Sequence, residues 1–349
     1  MSSGVYLKGK YTEEFERKFP AMCRMPYCVA LSSGTSALEL AYQALVLTGY
    51  LTEGDKIAIP SNTFTATATA AIRAGLVPVF VDVHSDGPYQ YLIDAESLNE
   101  AVKQHSVKAV VLVHLYGRLC FYDALMEVID KHELLIIEDA CQAHGASLNN
   151  IVAGSIGKIS AFSFYPTKNL GALGDAGCIL TKDIKLAETV RTLADYGGRH
   201  DTKLPGTNSR MDEIQAGILL AKMDCLEIDN LLRSKIASLY DSSIYNETIR
   251  IPYPIPFPEH VYHLYVVRIT NGLRDAFLEY MKQQGIETGI HYPVPLHKMP
   301  LFKDCPRVNC SKAEELSKQI VSLPLYPRMS ISHVMRVVEA INNFKPHAS

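Results

Sequence analysis

Between about residue 27 and residue 182, short runs of apolar, largely β-branched residues alternate with helical stretches, and this alternation restricts the chain to a small set of folds. The runs at 56–59, 77–83, 108–113, 134–137, 159–164 and 177–181 are apolar at consecutive positions rather than at every second one. A strand with one wet face alternates, so consecutive apolar residues mark strands covered on both faces, as in a mainly parallel sheet between helices. Helical patterns at 36–47 and 65–74 supply the cover. The fold class expected is therefore α/β, with the sheet domain first.

Beyond the sheet a helical pattern runs from Met211 to about Tyr240 without an internal proline, leading toward a smaller domain. Four prolines between 251 and 258 make a stiff connector. After it the pattern predicts a strand over 263–269, a helix over 272–284, a strand over 287–291 and a helix over 331–344, a compact α+β unit. The expected division is a large domain, 1–235, and a small one, 236–349. With 349 residues, 48% of them hydrophobic, the chain has enough apolar surface for both.

The 34 basic and 37 acidic side chains give a formal charge of -3 with no block of like sign, which offers nothing for nucleic acid or a membrane surface to bind. A small molecule is the expected partner. The first 19 residues lack a charged head followed by an apolar stretch, and no later run is long and charge-free enough to span a bilayer, so a cytoplasmic protein is expected. Eight cysteines are scattered without a framework. Cys23/Cys28 and Cys305/Cys310 each enclose four residues, but zinc would need such pairs to meet tetrahedrally, and neither has tight knuckle spacing with flanking glycine. Packed thiols and no metal are expected.

Three segments carry chemistry. In Phe162-Ser163-Phe164-Tyr165-Pro166-Thr167-Lys168-Asn169 a strand ends in a loop that holds one lysine among apolar and small residues, with Gly171, Gly174 and Gly177 following. Desolvation there favours the free amine, which condenses with an aldehyde; the alternative is a solvated surface lysine. The apolar run 134–137 leads into Glu138-Asp139, the end of a strand where ligands sit in open α/β sheets. Asp139 can pair with a protonated pyridine nitrogen and Gln142 can reach a ring hydroxyl, or Asp139 can cap a following helix with Gln142 on its surface. In Ser32-Ser33-Gly34-Thr35-Ser36 hydroxyls and a glycine open a helix, so its free amides form an anion site or are simply capped. Phe64 lies just past another strand end, as a stacking face or a core residue.

Together with Pro78 to Val83, His114-Leu115-Tyr116-Gly117, Asn208 to Gln215 and Gly289-Ile290-His291-Tyr292-Pro293-Val294-Pro295-Leu296-His297, these segments resemble the sugar aminotransferases of the DegT/DnrJ/EryC1/StrS family, within the fold-type I, aspartate-aminotransferase-like enzymes that use pyridoxal 5'-phosphate. The resemblance covers nearly the whole chain. It implies Lys168 as Schiff-base lysine and proton shuttle, Asp139 as partner of the pyridine nitrogen, Gln142 beside the ring hydroxyl and Phe64 as the stacking aromatic. It further implies a phosphate held by Thr35, Ser36 and Ser163, with Asn208 reaching across a homodimer, and His291 and Tyr292 on the substrate side.

The activity implied is ping-pong transfer of an amino group, from L-glutamate as donor, to the keto carbon of a nucleotide-linked keto-deoxysugar. Two departures bear on the substrate side: a short segment before the first strand, and Tyr196-Gly197-Gly198 where relatives often show a His-Gly pair. A dehydratase branch of the family replaces the lysine by histidine, and Lys168 argues against it. Two further readings stay open: the same chemistry on an inosose or a small phosphorylated ketone, and a cofactor-binding regulator without turnover. The regulator lacks support from any DNA-binding helix pair or basic patch.

Overall fold

The structure is a computed structural model, and it describes residues 4–345. Its strands are β1 (Tyr27–Leu31), β2 (Lys56–Pro60), β3 (Val77–Val81), β4 (Ala109–Val113), β5 (Leu135–Asp139), β6 (Ser147–Leu148), β7 (Ile151–Val152), β8 (Ile159–Ser163), β9 (Gly177–Thr181), β10 (Ile249–Arg250), β11 (Tyr265–Ile269) and β12 (Ile320–Leu323). Its helices are α1 (Lys10–Met22), α2 (Gly34–Leu47), α3 (Thr65–Arg73), α4 (Ala95–His105), α5 (Asp123–Lys131), α6 (Ile184–Leu193), α7 (Glu213–Met223), α8 (Leu226–Ser243), α9 (Arg274–Gln283), α10 (Ser311–Gln319) and α11 (Ile331–Asn343).

Seven strands form the main sheet in the order β1-β9-β8-β5-β4-β2-β3. Only β9 runs against its neighbours, pairing antiparallel with both β1 and β8, while β8, β5, β4, β2 and β3 are mutually parallel. The apolar runs are covered on both faces, as their pattern requires. Ile57 and Ile59 pack with Val111, Leu38 and Leu45 on one side. Ala58, Val110 and Leu112 meet Leu98 of α4 and Leu125 of α5 on the other. A third cluster joins Phe162, Phe164 and Leu180 to Phe15 and Phe19 of α1 and Leu219 of α7. Burying each such side chain contributes about 1.5–3 kcal/mol.

Helix α1, which the alternation did not reveal, is tied down by Glu213: its carboxylate accepts the N–H groups of Gly9, Tyr11 and Thr12 at 2.9–3.0 Å, an anionic cap supplied by another helix.

The long helix expected from Met211 to Tyr240 is two helices. The chain stays near helical geometry through Asp224 (φ -65, ψ -20) and Cys225 (φ -97, ψ -8) but turns there. The reason is packing: Leu219 belongs to the core under the main sheet, whereas Ile236 and Tyr240 belong to a separate core with Tyr265, Phe277, Val334 and Ile341. The division placed at 235/236 falls inside α8, whose Leu226 still packs in the first of these cores.

The small sheet is antiparallel, β10-β11-β12. The strand expected over 287–291 is not formed, because that segment meets β12 only through the single bridge Gly289–Ser322 before turning away. The strands β10 and β12, not anticipated, take the places beside β11. All eight cysteines are free thiols, and among the described residues no group of three or more His, Cys, Asp or Glu side chains is placed to hold a metal. No helix among them is long and apolar enough to cross a membrane.

Candidate active site

Because β1, β8, β5, β4 and β2 point the same way, their last residues and the loops beyond them gather along one edge of the sheet. Asp139 ends β5, Ser163 ends β8, and Leu31 ends β1 just before α2. Gly34 and Gly177 draw these ends together. A Cβ on Gly34 would stand 2.5 Å from Ser163 Cβ and 3.1 Å from Cys141 Sγ, and one on Gly177 would stand 2.3 Å from the Ser33 carbonyl. Only glycine permits that approach.

Ser33 caps α2, its Oγ accepting the Ser36 N–H at 3.1 Å. The N–H groups of Gly34 and Thr35 have no acceptor among the described residues, so the positive end of the α2 dipole opens beside the Ser36 and Ser163 hydroxyls. The predicted residues Thr35, Ser36 and Ser163 thus lie together around the α2 N-terminus.

Lys168 sits in the loop after β8, where its N–H donates to Tyr165 O at 2.8 Å. Its Nζ makes no hydrogen bond or ion pair with any described residue, and burial lowers its pKa, while the Cys141 and Asp139 side chains pull the other way. The loop is fixed from behind. Asn169 Nδ2 donates to Asn230 Oδ1 and to Val261 O, both at 2.8 Å, and Asn169 Oδ1 lies 3.2 Å from His263 Nδ1.

Asp139 is buried; its Oδ2 accepts the Thr67 hydroxyl at 2.7 Å and its Oδ1 accepts the Cys141 N–H at 3.2 Å. It caps no helix, since residues 140–146 form turns leading to β6. Gln142 is held at both ends, Oε1 accepting the Tyr116 N–H at 2.7 Å and Nε2 donating to the Tyr292 hydroxyl at 3.0 Å, with one amide hydrogen remaining.

Phe64 opens α3 with its ring half exposed, 5.6 Å from that of Tyr292. It is not a core residue. His291 Nδ1 lies 2.8 Å from Ser322 Oγ, and the His291 carbonyl accepts the Tyr116 hydroxyl. Burial, then the Lys168 charge, holds the His291 pKa below its ordinary value.

Asn208 is exposed, bridges to Asp195, and lines a cleft of about 330 Å³ with Asp175, Gln215 and Ser32, whose hydroxyl lies 3.3 Å from that of Ser36. Sequence reasoning did not single out Thr67, Asn169, His144 or His263. His144 packs against Phe162 and Phe164 with neither ring nitrogen hydrogen-bonded to a side-chain or backbone group, and burial pushes its pKa down to about 3. The adjacency of Asn169 to Lys168 was the one signal available; the others come together only through the fold. An open cleft of about 640 Å³ runs from Thr167 and His291 along Leu323, Met329 and Arg336.

The sequence matches the model of the DegT/DnrJ/EryC1/StrS aminotransferase family over residues 1–342. It is 39% identical to a dTDP-3-amino-3,6-dideoxy-alpha-D-galactopyranose transaminase of Aneurinibacillus thermoaerophilus, over 99% of this chain and 93% of that protein. Among solved structures, DesV of S. venezuelae in complex with a ketimine intermediate superposes with a TM-score of 0.89 at 37% identity, covering 98% of this chain and 91% of that one. NtdA of Bacillus subtilis, solved with bound cofactor PMP, gives 0.85 at 30% identity, covering 97% and 78%. With a family match across nearly its full length and relatives alike from end to end, the chain belongs to the DegT/DnrJ/EryC1/StrS aminotransferase family.

Proposed function

We propose that the chain is a pyridoxal 5'-phosphate-dependent aminotransferase that passes an amino group, taken from L-glutamate, to the keto carbon of a nucleotide-linked keto-deoxysugar, as a cytoplasmic homodimer. The observation that carries this reading is the partly buried Lys168 amine, bonded to no described residue, at the sheet edge where Asp139 and the open amides of α2 also lie. The donor set fits the cofactor: an amine for its aldehyde, a carboxylate for its ring nitrogen, and hydroxyls with a helix N-terminus for its phosphate.

Each residue then has a task. Thr35, Ser36 and Ser163 bind the phosphate, Phe64 covers a face of the ring, and Gln142 directs its remaining N–H to the ring hydroxyl. Asn208 reaches the phosphate in a second copy of the chain. Once bound, the cofactor supplies an electron sink. Burial lowers the Lys168 pKa and so favours the free amine, the form in which Nζ can accept a proton and return it. His291 and Tyr292 face the acceptor, and the open cleft beside them, about 640 Å³, takes the rest of a substrate larger than a simple ketone. The sugar-nucleotide names of the relatives support that acceptor over an inosose or a small phosphorylated ketone.

The test is the visible spectrum of the purified protein with pyridoxal 5'-phosphate, before and after glutamate, beside the Lys168→Ala variant. The wild type should show a bound-cofactor band that glutamate removes, and the variant should lack it. A wild type without such a band overturns the proposal. A band that glutamate leaves unchanged, with no turnover of any keto sugar, favours a cofactor-binding regulator.

A further inference from the structure

Thr67 lies on α3 one turn beyond Phe64, fully buried. A threonine inside a helix commonly bonds a carbonyl of its own preceding turn. This one does not: its hydroxyl donates to Asp139 Oδ2, 72 residues away in sequence, at 2.7 Å. Behind it, Thr63 Oγ1 lies 3.2 Å from Thr67 Oγ1. A hydroxyl has one hydrogen, and with that hydrogen on Asp139 the Thr67 oxygen can only accept from Thr63, which gives the chain Thr63 to Thr67 to Asp139 a direction. The Thr67 backbone is pinned as well, its carbonyl accepting the Tyr42 hydroxyl at 3.2 Å and its N–H donating to Phe64 O at 3.2 Å.

We infer that Thr67 is a positioning residue: by donating to Asp139 it holds that carboxylate turned toward the ring nitrogen of the cofactor. The inference rests on the reading of Asp139 given above. A donor fixed on one carboxylate oxygen limits rotation of the carboxylate plane. The other oxygen has only the longer bond from Cys141, so Thr67 is the stronger of the two constraints. Because Phe64 is the residue that caps the start of α3, one helix positions both the aromatic face and the acidic edge of the site.

Thr67→Val removes the hydroxyl at nearly constant volume, and Thr67→Ser retains it. The full-length wild type, both variants, Asp139→Asn, and Thr67→Val combined with Asp139→Asn are titrated with pyridoxal 5'-phosphate, and the pH midpoint of the bound cofactor's visible band is recorded for each. Thr67→Val should bind the cofactor roughly ten- to a hundredfold more weakly, the worth of one hydrogen bond to a charged group, and should shift the midpoint. Thr67→Ser should stay within about threefold of wild type, and on the Asp139→Asn background Thr67→Val should add less than about twofold. Wild-type affinity and midpoint in Thr67→Val overturn the inference, as does an equal loss on both backgrounds, which would mark a packing role. Undiminished binding by Asp139→Asn removes the premise, and a wild type that takes up no cofactor refutes the function itself.

Discussion

Replacing Glu138 by Gln exchanges one oxygen for an NH2, yet the structure leaves that group nowhere to go. The Glu138 side chain is fully buried, one residue before Asp139 on β5. Its Oε1 accepts the N–H groups of Ile156 and Gly157 at 2.8 and 2.7 Å; its Oε2 accepts the Gly154 N–H at 2.7 Å and lies 2.8 Å from His114 Nε2. His114 Nδ1 accepts the Cys120 N–H at 2.9 Å, so the ring hydrogen is on Nε2 and points at the carboxylate. An amide nitrogen on either side therefore faces two donors. Two charge-assisted bonds are lost in either orientation, roughly 3–6 kcal/mol, and relief from burying a full charge offsets part of it. A net loss of about 2–4 kcal/mol is expected, a large share of the 5–15 kcal/mol typical of a folded protein. Urea denaturation of the cofactor-free protein, followed by circular dichroism and by tyrosine fluorescence since the chain has no tryptophan, measures the difference. A change below about 1 kcal/mol would refute the reasoning, because it would mean that the turn at 154–157 does not depend on an ionised acceptor.

Acid should destabilise the protein well before its carboxylates titrate. Burial holds His144 down to about 3 and lowers His260 and His263 well below their ordinary value, so all three resist protonation in the folded state. Their unfolded-state pKa is near 6.5; above that pH neither state takes the protons, and below it only the unfolded state does. Stability is thus fully present above pH 6.5 and falls by up to roughly 1.4 kcal/mol per pH unit for each histidine as pH drops toward the folded values. Equal urea stability at pH 7.5 and 5.5 would contradict this. Asn169→Leu strips the Lys168 loop of three contacts and leaves Asn230 Oδ1 and Val261 O without their donor, an expected loss of about 2 kcal/mol or more. An unchanged urea midpoint would show that the loop is held by other means.

The doubly covered strands were legible because burial on both faces is written into each run: Ile57, Ala58 and Ile59 are apolar in sequence and lie on alternate sides of the sheet. Lys168, Asp139 and the residues that open α2 stood out as candidates for a related reason, each sitting where an apolar run breaks into polar residues, while the family resemblance assigned their roles. Breaks of that kind need no knowledge of distant partners.

The missed elements are those whose formation depends on such partners. Strand β12 follows α10 directly, and its four residues become a strand because β11 is there to pair with them, while 287–291 lost its strand because only Gly289 finds a partner. The bend at Asp224–Cys225 is imposed by two separate cores, not by any helix breaker. Nothing local marks Thr67 within the helical pattern at 65–74, and only the approach of α3 to the end of β5 puts its hydroxyl on Asp139.

Local composition alone determined the α/β class and marked the strand ends where the candidate site lies. Tertiary structure alone decided the strand order, the antiparallel β9, the break between α7 and α8 and the partners of Asp139, Glu138 and Asn169. The physical reason is range: hydrophobic periodicity is carried by neighbouring residues, whereas a hydrogen bond between positions 67 and 139 exists only once the chain between them has folded.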